Sequence, residues 1–224
     1  AVTKGLNPNV EMNDSNLKWM PKIPNNWKTE KGKYCFASRN SKGNKNKLEL
    51  LSPTQKYGVI PQGLYEQLST QVTVKTNEKT NLMSFKTIHK GDYCISLRSF
   101  EGGFEYSNYE GVVSPAYTVL YPIISVDRRY YKYLFKISTF IYEMNSYSLS
   151  LRDGKPISYE NFGNTFLPIP PFQEQKEIAN YLDTKCAEIN DIIKNKKEQL
   201  ETLEEYKKSL IYEYVTGKKE VINA

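Results

Sequence analysis

The last part of the chain carries the most regular pattern of apolar and polar positions. Residues 172–215 contain neither glycine nor proline, and their apolar residues recur at alternating spacings of three and four. This spacing predicts one continuous helix over residues 172–216 with a coiled-coil seam on one face. The two sets of seam positions are Ala179, Cys186, Ile193, Leu200, Lys207 and Tyr214, and Leu182, Ile189, Lys196, Leu203 and Leu210.

The predicted helix is about 66 Å long at 1.5 Å per residue. A small body cannot cover a seam of that length, so we expect the helix to associate with a partner helix; folding back on the body is the alternative. Lys196 and Lys207 interrupt the seam, as polar residues that set register often do. The residues expected to carry the contact are Leu182, Ile189, Ile193, Leu200, Leu203 and Leu210.

Residues 28–171, the body, mix short strand patterns with one helical pattern. Asp127 is expected to cap a helix that runs to about Asn145. The segment 151–158 contains Asp-Gly and Lys-Pro and predicts a loop. The predicted strands are 71–75, 93–97, 112–121 and 162–169.

Two irregular segments flank these parts. Residues 1–27 predict an arm, pinned to the body by Trp19, Ile23 and Trp27, and residues 217–224 predict a tail. The fold class is therefore α+β, with a globular mixed α/β domain followed by a long C-terminal helix.

The positive charge is concentrated in the first part of the chain. Residues 1–171 hold 22 Lys or Arg and 14 Asp or Glu, whereas residues 172–224 hold 9 and 11. The densest basic stretch, from Lys28 to Lys47, predicts a mobile, positively charged loop. Such a loop suits phosphate binding, although a solvated loop without a partner explains the charge equally well.

Composition excludes several classes of protein. No run approaches the roughly 18 apolar residues of a membrane span, and no secretory signal is recognisable at the start. Three scattered cysteines, Cys35, Cys94 and Cys186, argue against a disulfide framework and for a reducing cytoplasm. The single histidine, His89, cannot complete a zinc site of the usual paired spacing, and it is expected to be structural.

Residues 1–5, AVTKG, echo residues 214–218, YVTGK, and suggest one unit of a tandem repeat. Four blocks along the chain match a known family: AVTKGLNPNVEMNDS followed by IPNNW, residues 91–120, residues 151–183 and the ending IYEYVTGKKEV. The most specific motif is Pro170-Pro171-x-x-Glu174-Gln175 at the start of the helix. These blocks resemble the specificity subunit of type I restriction–modification systems, and the first is similar to the passage into its second target-recognition domain.

This resemblance implies a fold and a set of partners. In the family, two target-recognition domains are held apart by two antiparallel helices, and each domain reads one half of a split target in double-stranded DNA. The helices dock two adenine-N6 methyltransferase subunits, and a separate restriction and translocation subunit cuts DNA. S-adenosylmethionine, ATP and Mg are then expected on those partner subunits, with no cofactor on this chain. One domain and one helix imply either a half-subunit that pairs with itself or one half of a longer chain.

Three groups of side chains are candidates for DNA contact. Arg suits guanine and Glu suits cytosine in the major groove, so the first group follows the predicted strand 93–97, where Gly102 and Gly103 are expected to let the chain approach DNA closely. The second group flanks a turn, and the third is expected to bind phosphates. The groups are Arg98, Ser99 and Glu101; Arg152 and Lys155; and Arg39, Lys42, Lys45 and Lys47.

The sequence argues against catalysis by the chain itself. Residues 169–172 read Ile-Pro-Pro-Phe, and Ile169 has no carbonyl that could accept hydrogen bonds from the amine of a flipped adenine, as the Asn or Asp of the methyltransferase motif does. No phosphate loop for ATP is found. The expected function is sequence-specific recognition of double-stranded DNA. The alternatives are a coiled-coil oligomerisation protein and an RNA-binding module with a non-specific basic surface.

Overall fold

The structure is a computed structural model that describes residues 1–43, 49–69, 84–95, 103–147 and 157–220. The chain divides into two compact units, Ala1–Ala179 and Asn180–Ala224. The described strands are β1 Met12–Asp14, β2 Lys22–Pro24, β3 Lys28–Lys31, β4 Phe36–Arg39, β5 Leu51–Thr54, β6 Gly58–Pro61, β7 Lys86–Ile88, β8 Tyr93–Ile95, β9 Phe104–Tyr106, β10 Gly111–Val113, β11 Thr118–Pro122 and β12 Phe166–Ile169. The described helices are α1 Gly32–Cys35, α2 Gln62–Leu68, α3 Arg128–Leu134, α4 Ser138–Ser146, α5 Tyr159–Asn164 and α6 Phe172–Val215.

A four-stranded antiparallel sheet in the order β4-β11-β8-β9 lies at the centre of the first unit. Strand β8 is buried along its whole length, which is why Tyr93, Cys94 and Ile95 form an uninterrupted apolar run. Successive side chains of a strand point to opposite faces, so Tyr93 and Cys94 serve two different parts of the core. Four two-stranded pairings, β1-β2, β3-β12, β5-β6 and β7-β10, complete the described strands.

The two faces of the sheet are covered by different kinds of side chain. On one face, aromatic rings pack around Phe36 and Phe135, edge to face for Phe36–Tyr131 and tilted for Phe104–Phe135, with ring centroids 5.0 Å apart in both pairs. Such ring pairs stabilise a core beyond the area they bury. The other core cluster contains smaller apolar side chains, namely Leu51, Val59, Ile88, Cys94, Val113 and Val119.

The helix predicted from Asp127 to about Asn145 is two helices. Asp127 caps α3 as expected, since its side chain accepts a hydrogen bond from the Arg129 N–H at 2.8 Å. The prediction of one continuous helix is wrong because α3 ends at Leu134 and Ile137 adopts an extended conformation before α4. In the interruption, Lys136 binds the buried carboxylate of Glu105.

Three further expectations about local structure need correction. The basic stretch predicted as a loop forms β3, α1 and β4 over Lys28–Arg39, because β3 pairs with β12 and β4 with β11. The predicted strand 112–121 is two strands separated by a turn around Pro115. The predicted strand 162–169 begins as α5 and is extended only from Phe166. The predicted strand 71–75 lies outside the described residues.

The N-terminal arm is fixed to the first unit, as expected. Trp19, Ile23 and Trp27 are all buried, which confirms them as anchors. The indole N–H of Trp19 donates to the Phe166 carbonyl at 3.3 Å, and the Tyr130 hydroxyl donates to the Val2 carbonyl at 3.0 Å. The arm is thus bonded to α3 and β12 through side chains distant in sequence.

Helix α6 has 44 residues and starts at Phe172, as predicted. Its first turns belong to the first unit. The buried amide of Gln175 accepts a hydrogen bond from the Asp127 N–H at 3.0 Å and donates one to the Pro170 carbonyl at 2.8 Å. Gln175 therefore links the start of α6 to the cap of α3. In the described part of the chain, no helix is long and apolar enough to cross a membrane.

Candidate nucleic-acid interface

One end of the four-stranded sheet collects the chain segments that hold most of the predicted contacts. Arg39 at the end of β4 pairs with Val119, and Ile95 at the end of β8 pairs with both Thr118 and Phe104. The end of β4, the start of β11, the end of β8 and the start of β9 therefore lie side by side. We call this end of the sheet, defined by Arg39, Ile95, Phe104 and Thr118, the loop edge.

The predicted base-reading residues Arg98, Ser99 and Glu101 lie outside the described residues, as do Lys45 and Lys47. Their flanking residues are described. Ile95 and Gly103, on either side of the first group, are both at the loop edge. Gly43, which precedes the segment with the two lysines, donates a backbone hydrogen bond to the Phe85 carbonyl at 2.9 Å. The antiparallel register thus places the ends of both segments near one end of the sheet.

Lys42 is the predicted phosphate contact that the structure places on the surface. It is exposed and forms an isolated bridge with Lys86. Lys86 is the first residue of β7 and pairs with Val113 of β10. Its Nζ donates to the Tyr117 carbonyl at 2.7 Å. Tyr117 belongs to the turn before β11. Two lysines from distant parts of the sequence therefore meet beside the loop edge.

Lys86 was not predicted as a neighbour of Lys42 because it stands alone between Phe85 and Thr87. Its proximity to Lys42 comes from the backbone bond between the Thr87 N–H and the Ser41 carbonyl, 2.9 Å long. No run of charged residues near Lys86 in the sequence indicates that it lies beside Lys42. The sequence Lys86-Thr87-Ile88, with its two β-branched residues, indicates a strand rather than a site.

Arg39 has a partner inside the protein. Its Nε lies 2.8 Å from Oδ2 of Asp92, whose side chain is fully buried, and its guanidinium stacks on the Tyr121 ring at 4.4 Å from the centroid. Tyr121 lies two residues beyond Val119, the pairing partner of Arg39. The side chain consequently runs back along the sheet, away from the loop edge. A phosphate contact by Arg39 stays a prediction, and its visible contacts serve the fold.

Asp92 collects several donors besides Arg39. The His89 backbone N–H donates to Oδ2 at 3.0 Å, and Nη1 of Arg128 lies 3.8 Å from Oδ1. Gly91, with φ of +90°, is next to the Arg128 side chain. A buried carboxylate is tolerated when charge and hydrogen bonds compensate it. Asp92 therefore fixes the turn that leads into β8.

Gly103 approaches the protein itself. Its φ is +74°, and a Cβ on it would lie 2.1 Å from the Phe135 carbonyl oxygen. The close approach expected of this glycine toward DNA is thus an approach to the α3–α4 connection. It fixes where β9 starts at the loop edge. Gly102 lies outside the described residues.

The remaining candidates are placed as follows. Arg152 and Lys155 lie outside the described residues, between Tyr147 and Ile157. The predicted contact positions of α6 are half-buried at Leu182 and Leu210 and otherwise exposed, from 46% for Ile193 to 63% for Leu203. These exposures describe the single chain and leave the seam open to a partner.

The two buried cysteines of the first unit are held as neutral thiols. Burial raises the pKa of Cys35 to about 12 and raises the pKa of Cys94 further. Both thiols are thus protonated at neutral pH, whereas thiol nucleophiles and metal ligands act as thiolates. Exposed His89 lies with Nδ1 3.7 Å from Glu110. Within the described ranges, no group of His, Cys, Asp and Glu is arranged to hold a metal ion.

Burial also raises the pKa of Glu105, from 4.5 to about 7, although Lys136 opposes that shift. Both carboxylate oxygens of Glu105 lie 2.7 Å from Lys136 Nζ. Glu105 pairs with Cys94 across β8 and β9. The sheet next to the loop edge therefore contains a carboxyl group that titrates near neutral pH.

A family model described as "Type I restriction modification DNA specificity domain" matches residues 15–202. No curated protein matches the chain. Among solved structures, a chain from work on the complex assembly and conformational transition of the type I R-M system is 18% identical with a TM-score of 0.56, covering 85% of this chain and 46% of that one. The HsdS subunit from Thermoanaerobacter tengcongensis is 16% identical with a TM-score of 0.49, covering 80% and 41%.

The first of these likenesses supports the α+β fold with its long helix, and the family match covers most of the chain. This chain spans less than half the length of either solved structure.

Proposed function

Because the chain belongs to the family of type I restriction–modification DNA specificity domains, we propose that it reads one half of a bipartite sequence in double-stranded DNA. The family match over residues 15–202 carries this proposal. The exposed Lys42 supports it, since an exposed lysine can neutralise a DNA phosphate, whereas the ammonium of its half-buried neighbour Lys86 is bound to the Tyr117 carbonyl. The proposed reading residues follow β8: Arg98, Ser99 and Glu101.

The chain acts without catalysing a reaction in this proposal. It positions two adenine-N6 methyltransferase subunits, and a restriction subunit joins them. S-adenosylmethionine, ATP and Mg belong to those partners. The second half of the target is read by another specificity half that pairs with α6. The raised pKa values of the two buried thiols and the Ile-Pro-Pro-Phe sequence support the proposal that the partner subunits, rather than this chain, catalyse the reactions.

Sequence-resolved adenine methylation tests the proposal. The chain is co-expressed in cells with its neighbouring methyltransferase subunit, beside a control without the chain. We expect a new interrupted motif. A palindromic motif indicates two copies of this half, and an asymmetric motif indicates an unlike second half. Absence of new methylation, with the complex shown to assemble, contradicts the proposal.

Binding to purified DNA tests the site. Changing Lys42 to Gln is expected to weaken binding to target and random duplexes equally and to reduce the salt dependence, because phosphate contacts carry no base information. Lys56→Gln, an exposed lysine on the turn between β5 and β6, is the matched control. Competition with RNA separates duplex reading from a general affinity for nucleic acid. Unchanged salt dependence in Lys42→Gln removes this lysine from the interface.

A further inference from the structure

The connection between α3 and α4 contacts both faces of β9. Phe104 and Glu105 are neighbours on that strand and point to opposite faces of the sheet. On one face, the ring of Phe135 packs against the ring of Phe104, with centroids 5.0 Å apart. On the other face, Nζ of Lys136 lies 2.7 Å from each carboxylate oxygen of Glu105. We call these four residues, Phe104, Glu105, Phe135 and Lys136, the clasp.

The clasp extends to Gly103 at the loop edge. A Cβ on Gly103 would lie 2.1 Å from the Phe135 carbonyl oxygen and 3.4 Å from Cδ of Lys136. The stem of Lys136 therefore passes beside Gly103 before its ammonium reaches Glu105. Because β9 is the last strand in the order β4-β11-β8-β9, it is paired with β8 on one side and held by the clasp on the other.

Stability alone does not require the ion pair in the clasp. The side chain of Glu105 is 2% exposed, and burial disfavours its ionised form, which raises its pKa to about 7. Apolar residues of similar size often replace a buried ion pair without loss of stability. The ion pair adds a defined geometry, because charge-assisted hydrogen bonds are short and directional.

The clasp lies where the segment after β8 returns to the sheet. Ile95 and Phe104 pair across β8 and β9 at the two ends of this segment. Strand β8 is itself paired with β11 on its other side, so its end is fixed by the sheet. The position of the second end depends on how β9 is held. The proposed reading residues between these ends are Arg98, Ser99 and Glu101.

We propose that Glu105 and Lys136 are positioning residues for base recognition. Their contact fixes the start of β9 and thereby determines where the segment between Ile95 and Gly103 places its side chains along a groove of DNA. Neither residue has to touch DNA for this role. A displacement of about 1 Å is enough to break a hydrogen bond to a base. The role rests on the proposed function, in which this segment reads bases.

Two variants that change the net charge in opposite directions test the role. At pH 8, Lys136→Met removes a positive charge and Glu105→Met removes a negative charge, and both abolish the contact. Each chain, in complex with the methyltransferase subunit, is titrated with a duplex carrying the motif from methylation mapping and with a scrambled duplex of the same composition. Both variants are expected to lose about tenfold in preference for the motif, the equivalent of roughly one base contact, with little change on the scrambled duplex.

The opposite charge changes separate positioning from attraction to phosphates. If the pair acted on DNA through its charges, the two variants would shift the affinity for both duplexes in opposite directions. That result, or an unchanged preference in either variant, overturns the inference. Lys22→Met is the matched control, since it removes the ion pair with Asp14 between β1 and β2, outside the four-stranded sheet, and should keep the preference.

Hydrogen exchange without DNA separates this inference from the proposed function. The amides of residues 103–106 are expected to exchange about threefold faster or more in both Met variants. The double variant Glu105→Met/Lys136→Met is expected to keep its midpoint in urea unfolding. Unchanged exchange overturns the positioning role even where the unchanged chain prefers its motif. A lower midpoint, together with an equal loss of affinity for both duplexes, shows a structural role and also overturns it. An unchanged chain with no preference counts against the proposed function, while exchange still decides whether the clasp fixes β9.

Discussion

The carboxyl group of Glu105 gives the protein a stability that depends on pH in an unusual direction. Its side chain is 2% exposed and its pKa in the folded protein is about 7, against an ordinary value of 4.5. The folded state therefore binds a proton that the unfolded chain has released between these two pH values. By linkage, this group stabilises the fold fully below pH 4.5, and the stabilisation is lost as the pH rises through 7.

The magnitude follows from the two pKa values. Each unit of difference corresponds to about 1.4 kcal/mol, so the free energy of unfolding contributed by Glu105 falls by about 3 kcal/mol between pH 4.5 and 7. This is an upper figure, since Lys136 is one-third exposed and the ion pair compensates the buried charge. Other carboxylates add their own pH dependence, and only a comparison with a variant isolates Glu105.

Urea unfolding of the unchanged chain and of Glu105→Gln, at pH 5 and pH 8, measures this contribution. Gln keeps the shape and the hydrogen-bonding capacity but has no titrating proton. The variant is expected to lose less stability than the unchanged chain on going from pH 5 to pH 8. Glu110→Gln, on an exposed carboxylate 3.7 Å from His89, serves as control. Equal changes in the unchanged chain and in Glu105→Gln would refute the reasoning.

Three further outcomes are expected. Gly103→Ala should destabilise the chain by more than about 1 kcal/mol in urea unfolding, since the added Cβ meets the Phe135 carbonyl and φ is positive there. Gly63→Ala, which has open space around it in α2, should instead stabilise the chain by up to about 1 kcal/mol. Equal effects of the two substitutions would contradict the packing argument. Leu203→Glu should abolish partner association in sedimentation runs without lowering monomer stability, because Leu203 is 63% exposed. Arg98→Ala should cost about 1–3 kcal/mol on target DNA and relax one base position, and an equal loss on random DNA would make it a phosphate contact.

The long helix and the arm were predictable because their signals are local. Forty-four residues without glycine or proline define α6, and large apolar residues such as Trp19 and Trp27 stand out in a polar arm. Asp127 has the side chain that helix capping requires. The end of α3 was not predictable, since the apolar spacing continues past Leu134 and the contact made in the break joins Lys136 to a carboxylate 31 residues away.

The candidate site shows the same difference between local signals, which the sequence contains, and contacts between distant segments, which it does not show. Lys42 was found from a charge run, but Lys86 joins it only through pairing of distant backbone segments. Arg39 belonged to the same run, yet buried Asp92 draws its guanidinium away from the loop edge. The run of charged residues in the sequence therefore identified the region of the candidate site. The partner of each charged side chain could be identified only from the fold.

The register of β8 and β9 bears on how such a protein acquires a new target. Three paired residues on each strand, from Tyr93–Tyr106 to Ile95–Phe104, hold β8 and β9 together on the two sides of their connection. Doubling the length of a connection between fixed ends costs only about 0.6 kcal/mol of closure entropy. The connection can thus change in length and sequence while the aromatic core stays intact. Under the proposed function, in which Arg98, Ser99 and Glu101 read bases, new specificities are then accessible through short insertions at a small cost in stability.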